Sequence, residues 1–132
     1  MTSEGSPVRY ASILHFHLLP IQEYLDTQKV RRLAHVDVAL PRIITLPFGS
    51  YHFLILDGHH RAAAACLRGE NTIRSTIIET DDDLRTARRG ACGQALAGIS
   101  GLLDTYEREW RWVCANEGVE SFHDLLLMNG LA

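Results

Sequence analysis

The chain has 132 residues, 46% hydrophobic and 22% charged, a composition that fits one globular domain and excludes a disordered chain. Its formal net charge is −3, so no basic field marks it as a dedicated nucleic-acid binder. No apolar run reaches the roughly 18 residues of a membrane span, and no basic-then-apolar leader opens the chain, so no membrane partner and a cytoplasmic location are expected.

The charge is uneven: residues 1–80 hold 8 basic and 7 acidic side chains, and 81–132 hold 5 and 9. Cys66, Cys92 and Cys114 are odd in number and form no CxxC pair, so neither a disulfide framework nor a zinc site is signalled. They read as small apolar helix residues.

Residues 1–9 read as a frayed tail. Ser12 to Leu19 alternates, with Leu14, Phe16 and Leu18 opposite His15 and His17, which predicts one half-buried strand ended by Pro20. Residues 21–40 turn helical, with a possible division at Asp26-Thr27, and Pro41 stops them. Arg42–Leu46 and Tyr51–Leu56 predict a hairpin across Pro47-Phe48-Gly49-Ser50. His60–Arg68 is helical and carries four consecutive alanines, and Asn71–Glu79 is a further strand. From Asp81 onward the pattern is helical throughout. Leu96, Ile99, Leu103, Tyr106, Trp110 and Val113 form one stripe; Leu84, Ala87, Ala91, Ala95, Gly98 and Leu102 form a second, of small residues. Ser100-Gly101 is a candidate break, and Ser121-x-x-Asp124 is a capping box before a last helix with Phe122, Leu125 and Leu126 inward. Trp112 points to another helix face and can cover a pocket or an interface. The small-residue stripe fits either packing within the chain or a homodimer through the C-terminal helices.

The chemistry concentrates in Asp57-Gly58-His59-His60-Arg61, where an apolar strand runs into a helix. The N–H groups of a helix's first turn are free and carry partial positive charge. Gly58 permits a tight turn and a close approach, and Arg61 can fork onto two phosphate oxygens. His59 or His60 can add a donor or move a proton, and Asp57 can hold a divalent cation beside a phosphate. The same residues also read as a plain turn and a solvated first helical turn. Three further groups have bland readings beside the chemical ones. His15 and His17, with His52, can chelate a metal or form a polar strand face. Asp81-Asp82-Asp83 can bind a cation or cap a helix, and Arg85, Arg88 and Arg89 can meet an acidic partner or form a solvated face.

This segment, with its Ala-rich helix and the upstream Leu18-Leu19-Pro20 turn, resembles the signature of the ParB/sulfiredoxin superfamily, over residues 10–80. The resemblance implies an α+β fold for that stretch, a small mixed sheet of about four strands with packed helices; residues 81–132 lie outside the resemblance, and their helical pattern is read as a C-terminal helical subdomain packed on it. Sulfiredoxins carry Gly-Cys-His-Arg at this point. His59 stands in the cysteine's place, so the sulfinic-acid repair activity, which needs that thiolate, is not expected. A branch of small enzymes that phosphorylate free serine is similar in its Asp-Gly-His-x-Arg phosphate loop and in an acidic residue soon after the first strand's proline, which matches Glu23. The resemblance therefore implies a nucleotide-binding enzyme that transfers or hydrolyses a phosphoryl group, with a small hydroxyl compound such as an amino acid as acceptor. Glu23 would be the base, Gly58, His59, His60 and Arg61 the phosphate cradle, and Asp57 a magnesium ligand with ATP, ADP or CTP. Taken without the resemblance, Glu23 reads first as a first-turn helix glutamate favoured by the dipole, ahead of the catalytic role. Two other functions stay open. One is a ParB-like DNA-binding or nuclease module with a basic surface around Arg42, Arg61, Arg68 and Arg74. The other is a non-enzymatic nucleotide-binding regulator.

Overall fold

The computed structural model describes residues 8–87 and 94–132, with side chains in the second stretch from residue 98 on. The readings on residues 1–7, Arg88, Arg89, Ala91 and Cys92, and on the side chains of Ala95 and Leu96, lie outside the described residues. The fold is α+β. Five strands form one mixed sheet: β1 (Arg9–Leu14), β2 (Leu18–Leu19), β3 (Ile43–Phe48), β4 (His52–Asp57) and β5 (Thr72–Ile77), in the order β1-β5-β3-β4-β2. β1 runs antiparallel to β5, and β3 antiparallel to β4; the β3–β5 and β2–β4 pairs are parallel. The expected hairpin is therefore present as β3–β4.

The single strand expected over Ser12–Leu19 is instead two. A turn of 3-10 helix at His15–His17 divides it, and its halves pair with opposite edges of the sheet. Leu14 and Leu18 are four residues apart, so at most about 14 Å of chain joins them. A flat five-stranded sheet would hold its edge strands about 19 Å apart. The sheet must therefore curl until its edges approach, and the short turn bridges them.

Curling gives the sheet two packed faces. On one, Ile13, Leu18, Ile43, Ile55, Ile73 and Ile77 pack with α1 (Thr27–Ala34), α2 (His59–Leu67) and α6 (Phe122–Met128). Ala62 to Ala65 of α2 are all buried there, because methyl side chains let the helix lie close to the strands. On the other, Leu46, Leu54 and Leu56 pack with Leu84 of α3 (Asp81–Ala87), Leu102 of α4 (Gln94–Thr105) and Tyr106. The C-terminal helices thus contribute to both clusters.

The helical stretch 21–40 reduces to α1. Asp26 caps it, accepting from the Gln28 and Lys29 N–H groups, and residues 20–26 form a loop before it. α4 breaks at Gly98 (φ 70°, ψ 175°) rather than at Ser100-Gly101. That backbone region is open essentially to glycine alone, and the Asp81 carboxylate takes the next N–H, that of Ile99, at 2.8 Å. Asp83 accepts from the Glu79 and Thr80 N–H groups, and Thr80 returns a cap to Asp83. Two of the three aspartates are thus helix caps, and Asp82 pairs with Arg85.

Between α4 and α5 (Arg111–Asn116), residues Tyr106–Trp110 form a wide turn in which the Arg111 N–H reaches the Tyr106 carbonyl. One extra residue enters the helix there. The stripe read through Tyr106 to Val113 therefore slips by one: Cys114 is buried, and Val113 is 49% exposed. The capping box before α6 forms as expected, with Ser121 Oγ accepting from Asp124 N–H and Asp124 Oδ2 from Glu120 N–H. Among the described residues no helix is long and apolar enough to cross a membrane.

Candidate functional site: an anion cleft at the start of α2

β4 delivers Asp57 to the edge of the sheet, and the chain turns into α2 through Gly58 (φ 106°). A Cβ on Gly58 would stand 2.6 Å from Ile43 Cγ2, so both the backbone angle and the neighbouring strand require glycine. α2 has no side-chain cap. The Ala62 N–H donates to the Gly58 carbonyl, which leaves the earlier first-turn amides without an acceptor inside the helix. They border a cleft of about 230 Å³ lined by Asp57, Gly58, His60 and Arg61 on one side and by Lys29, Leu33 and Pro41 on the other.

Arg61 is positioned from two sides. Its Nη1 donates to the Arg42 carbonyl at 2.7 Å, and its Nη2 meets Asp57 Oδ2 at 3.1 Å. A guanidinium has five N–H donors, so these two contacts orient it without exhausting it. Asp57 is itself exposed and is the one carboxylate among the described residues of the cleft.

The two histidines differ. His59 is only 4% exposed and points beneath the cleft, where its Nε2 accepts from the Ile21 N–H at 3.0 Å. Burial, helped by the neighbouring His60, pushes its pKa down to about 3. Its ring is neutral and structural, which corrects the expectation that its side chain meets a phosphate or acts in catalysis; it is not among the residues lining the cleft. His60 lines the cleft, but its Nε2 accepts from the Asp26 N–H at 3.0 Å. Burial and the Lys29 charge lower its pKa, against the pull of Asp26. An imidazole that accepts at Nε2 in this way is neutral and carries its proton at Nδ1. His60 therefore supplies no positive charge in this arrangement; Lys29 does.

Lys29 is the residue that the sequence reading missed. It is the chain's single lysine, and it sits in the first turn of α1, where the helix dipole disfavours a cation. That misplacement is the signal that was available. Glu23 is not in the cleft. Its main-chain carbonyl accepts from Asn129 Nδ2 at 3.3 Å, and its carboxylate lies near Cys114, whose thiol it helps burial to push up to about 11. Glu23 is also in the loop before α1, so the reading as a first-turn helix glutamate does not apply.

Asn129 is a second missed residue. Its Oδ1 accepts from the Leu25 N–H, so the 20–26 loop is held by Asn129 from α6's end and by both histidines from α2.

The arginines read as a basic surface turn toward the protein's own backbone. Arg68 donates to the Val38 carbonyl, Arg74 to Leu40, Arg61 to Arg42, and Arg42 to Ser75. Alternate carbonyls of the segment 38–42 are thus held by guanidinium groups where a strand partner would otherwise stand. His15 and His17 pack edge-on against Phe16, and no group of three or more His, Cys, Asp or Glu side chains gathers as a cation site among the described residues. No protein-family model matches the chain, and no curated protein matches it.

Proposed function

We propose that this protein binds the phosphate groups of a nucleotide at the start of α2. The observation that carries the reading is the cleft itself: uncapped first-turn amides, the oriented Arg61 and the Lys29 ammonium converge on a space of about 230 Å³, beside a glycine that keeps the backbone open to a ligand. Helix amides and a fork of N–H donors are the groups that recognise phosphate oxygens. The resemblance to the ParB/sulfiredoxin superfamily at Asp57-Gly58-His59-His60-Arg61 supports the same ligand class.

Phosphoryl transfer or hydrolysis at this cleft would rest on Asp57. It is the carboxylate beside the phosphate position, and it would offer oxygen to a magnesium ion carried in by ATP, ADP or CTP. Glu23 would have to move away from the Cys114 side to serve as base, so binding is the better-supported half of the reading.

The test is calorimetric titration with ATP, ADP, CTP and inorganic phosphate, with and without magnesium. Arg61→Ala should weaken binding about tenfold or more, as the loss of a charge-assisted hydrogen bond demands. Lys29→Gln, which leaves the Asp57 and Arg42 contacts intact, should weaken it by a smaller factor. Equal affinity in wild type and both variants would overturn the proposal. Product formation in the same mixtures separates an enzyme from a regulator.

A further inference from the structure

A second cavity, of about 550 Å³, lies where α5 passes the β2–β4 edge of the sheet. It is separate from the phosphate cleft. His52, at the start of β4, lines it, whereas Asp57, at the end of β4, lines the cleft. Five residues of extended strand put those positions about 17 Å apart.

The walls combine an apolar floor with a few polar groups. Phe48 and Val119 supply apolar surface, and Trp112, 60% exposed, stands at the rim. Tyr106 is the informative residue. It is 5% exposed and lines the cavity, and its hydroxyl makes no hydrogen bond among the described residues. The hydroxyl is not one of the buried unpaired side-chain atoms among the described residues, so it opens on the cavity and is available to a ligand. Burial pushes the phenol's pKa up, against the pull of Arg111, so the hydroxyl keeps its proton and can donate.

Arg111 lines the same cavity because of the wide turn described above. In an α-helix, residues five apart point in clearly different directions. The Tyr106–Trp110 turn closes through a bond from the Arg111 N–H to the Tyr106 carbonyl and brings the two side chains to one side. The Arg111 guanidinium gives one N–H to Glu107 at 2.7 Å and retains others. Hydrogen-bond donors thus converge beside an apolar, partly aromatic wall, and cavities of this volume and character commonly take small organic ligands. Glu120, also in the lining, repels negative charge, so a ligand with more than one anionic group is disfavoured.

We propose that this cavity binds a small aromatic monocarboxylate, its ring against Phe48 and Val119 and its carboxylate on the Tyr106 hydroxyl and the Arg111 guanidinium.

The test is calorimetric titration of the full chain with 2-naphthoate, with the neutral 2-naphthamide as its near-isosteric control. The naphthoate should bind with a Kd of about 1 mM or tighter, and the amide about tenfold more weakly. Tyr106→Phe preserves the ring and its packing and should weaken naphthoate about tenfold, and the amide, whose carbonyl accepts a weaker neutral hydrogen bond, by a smaller factor. Ala115→Leu fills the cavity from α5 and should abolish binding of both; a melting temperature close to wild type checks that this variant folds. Failure of naphthoate to bind, equal affinity for acid and amide, or a Tyr106→Phe variant that binds as tightly as wild type would each overturn the proposal. Since the cavity shares no lining residue with the phosphate cleft, these results are independent of the nucleotide titration.

Discussion

Protonation of His59 should unfold this protein from within. The ring is 4% exposed, accepts a hydrogen bond from the Ile21 N–H, and has its pKa pushed down to about 3 by burial and by His60. In the unfolded chain the same imidazole titrates near its ordinary value of 6.5. The folded pKa is depressed, so this contribution to stability is fully present above 6.5. It is lost as the pH falls, because the unfolded state takes up a proton that the folded state refuses until about pH 3. From the two pKa values, the loss is about 2 kcal/mol at pH 5 and approaches about 5 kcal/mol below pH 3. His60, also lowered, adds to the loss with the same sign. Urea unfolding of wild type and of His59→Gln at pH 8 and pH 5 isolates the effect. A glutamine oxygen can accept from Ile21 N–H but does not titrate. The difference in stability between the two proteins should shift by about 2 kcal/mol in the variant's favour on going from pH 8 to pH 5. A difference that stays constant with pH would refute the buried neutral imidazole.

Gly58→Ala should destabilise the protein by about 3 kcal/mol, combining a positive φ with a Cβ driven into Ile43. Urea unfolding measures it, and a change within about 0.5 kcal/mol would mean that β3 yields easily at this point. Asn129→Ala strips the acceptor from the Leu25 N–H, in a residue 1% exposed, and should cost about 2 kcal/mol. It should also accelerate hydrogen exchange at Leu25; an unchanged Leu25 exchange rate would show that the C-terminal end of the chain does not hold the 20–26 loop.

The elements around the cleft were legible because their signals are local. Apolar β-branched runs and a glycine mark β3–β4, and four alanines after Gly58 mark α2. The division of Ser12–Leu19 was not legible, since the alternating pattern runs straight through His15–His17 with no glycine or proline to interrupt it. What divides it is tertiary: the edges of a curled sheet come close enough for one short turn to serve both. The slipped stripe at Val113 has a similar origin, because an extra residue in a helix changes which side chains face inward without changing the spacing in the sequence. At the site, the turn and its free amides followed from Asp57-Gly58, but side-chain directions did not. His59 and His60 are adjacent in sequence, yet one caps the loop at Ile21 from the core and the other at Asp26 from the cleft wall. Lys29 and Asn129 reach their places only through the packing of α1 and α6 around α2.

The phosphate cradle is tested most directly at its own amides. In an 15N-labelled sample titrated with inorganic phosphate and then with ADP, the His59, His60 and Arg61 amide signals should move together and saturate at one affinity. If those three signals stay fixed while others shift, the anion is binding elsewhere and the cleft at the start of α2 is not a phosphate site.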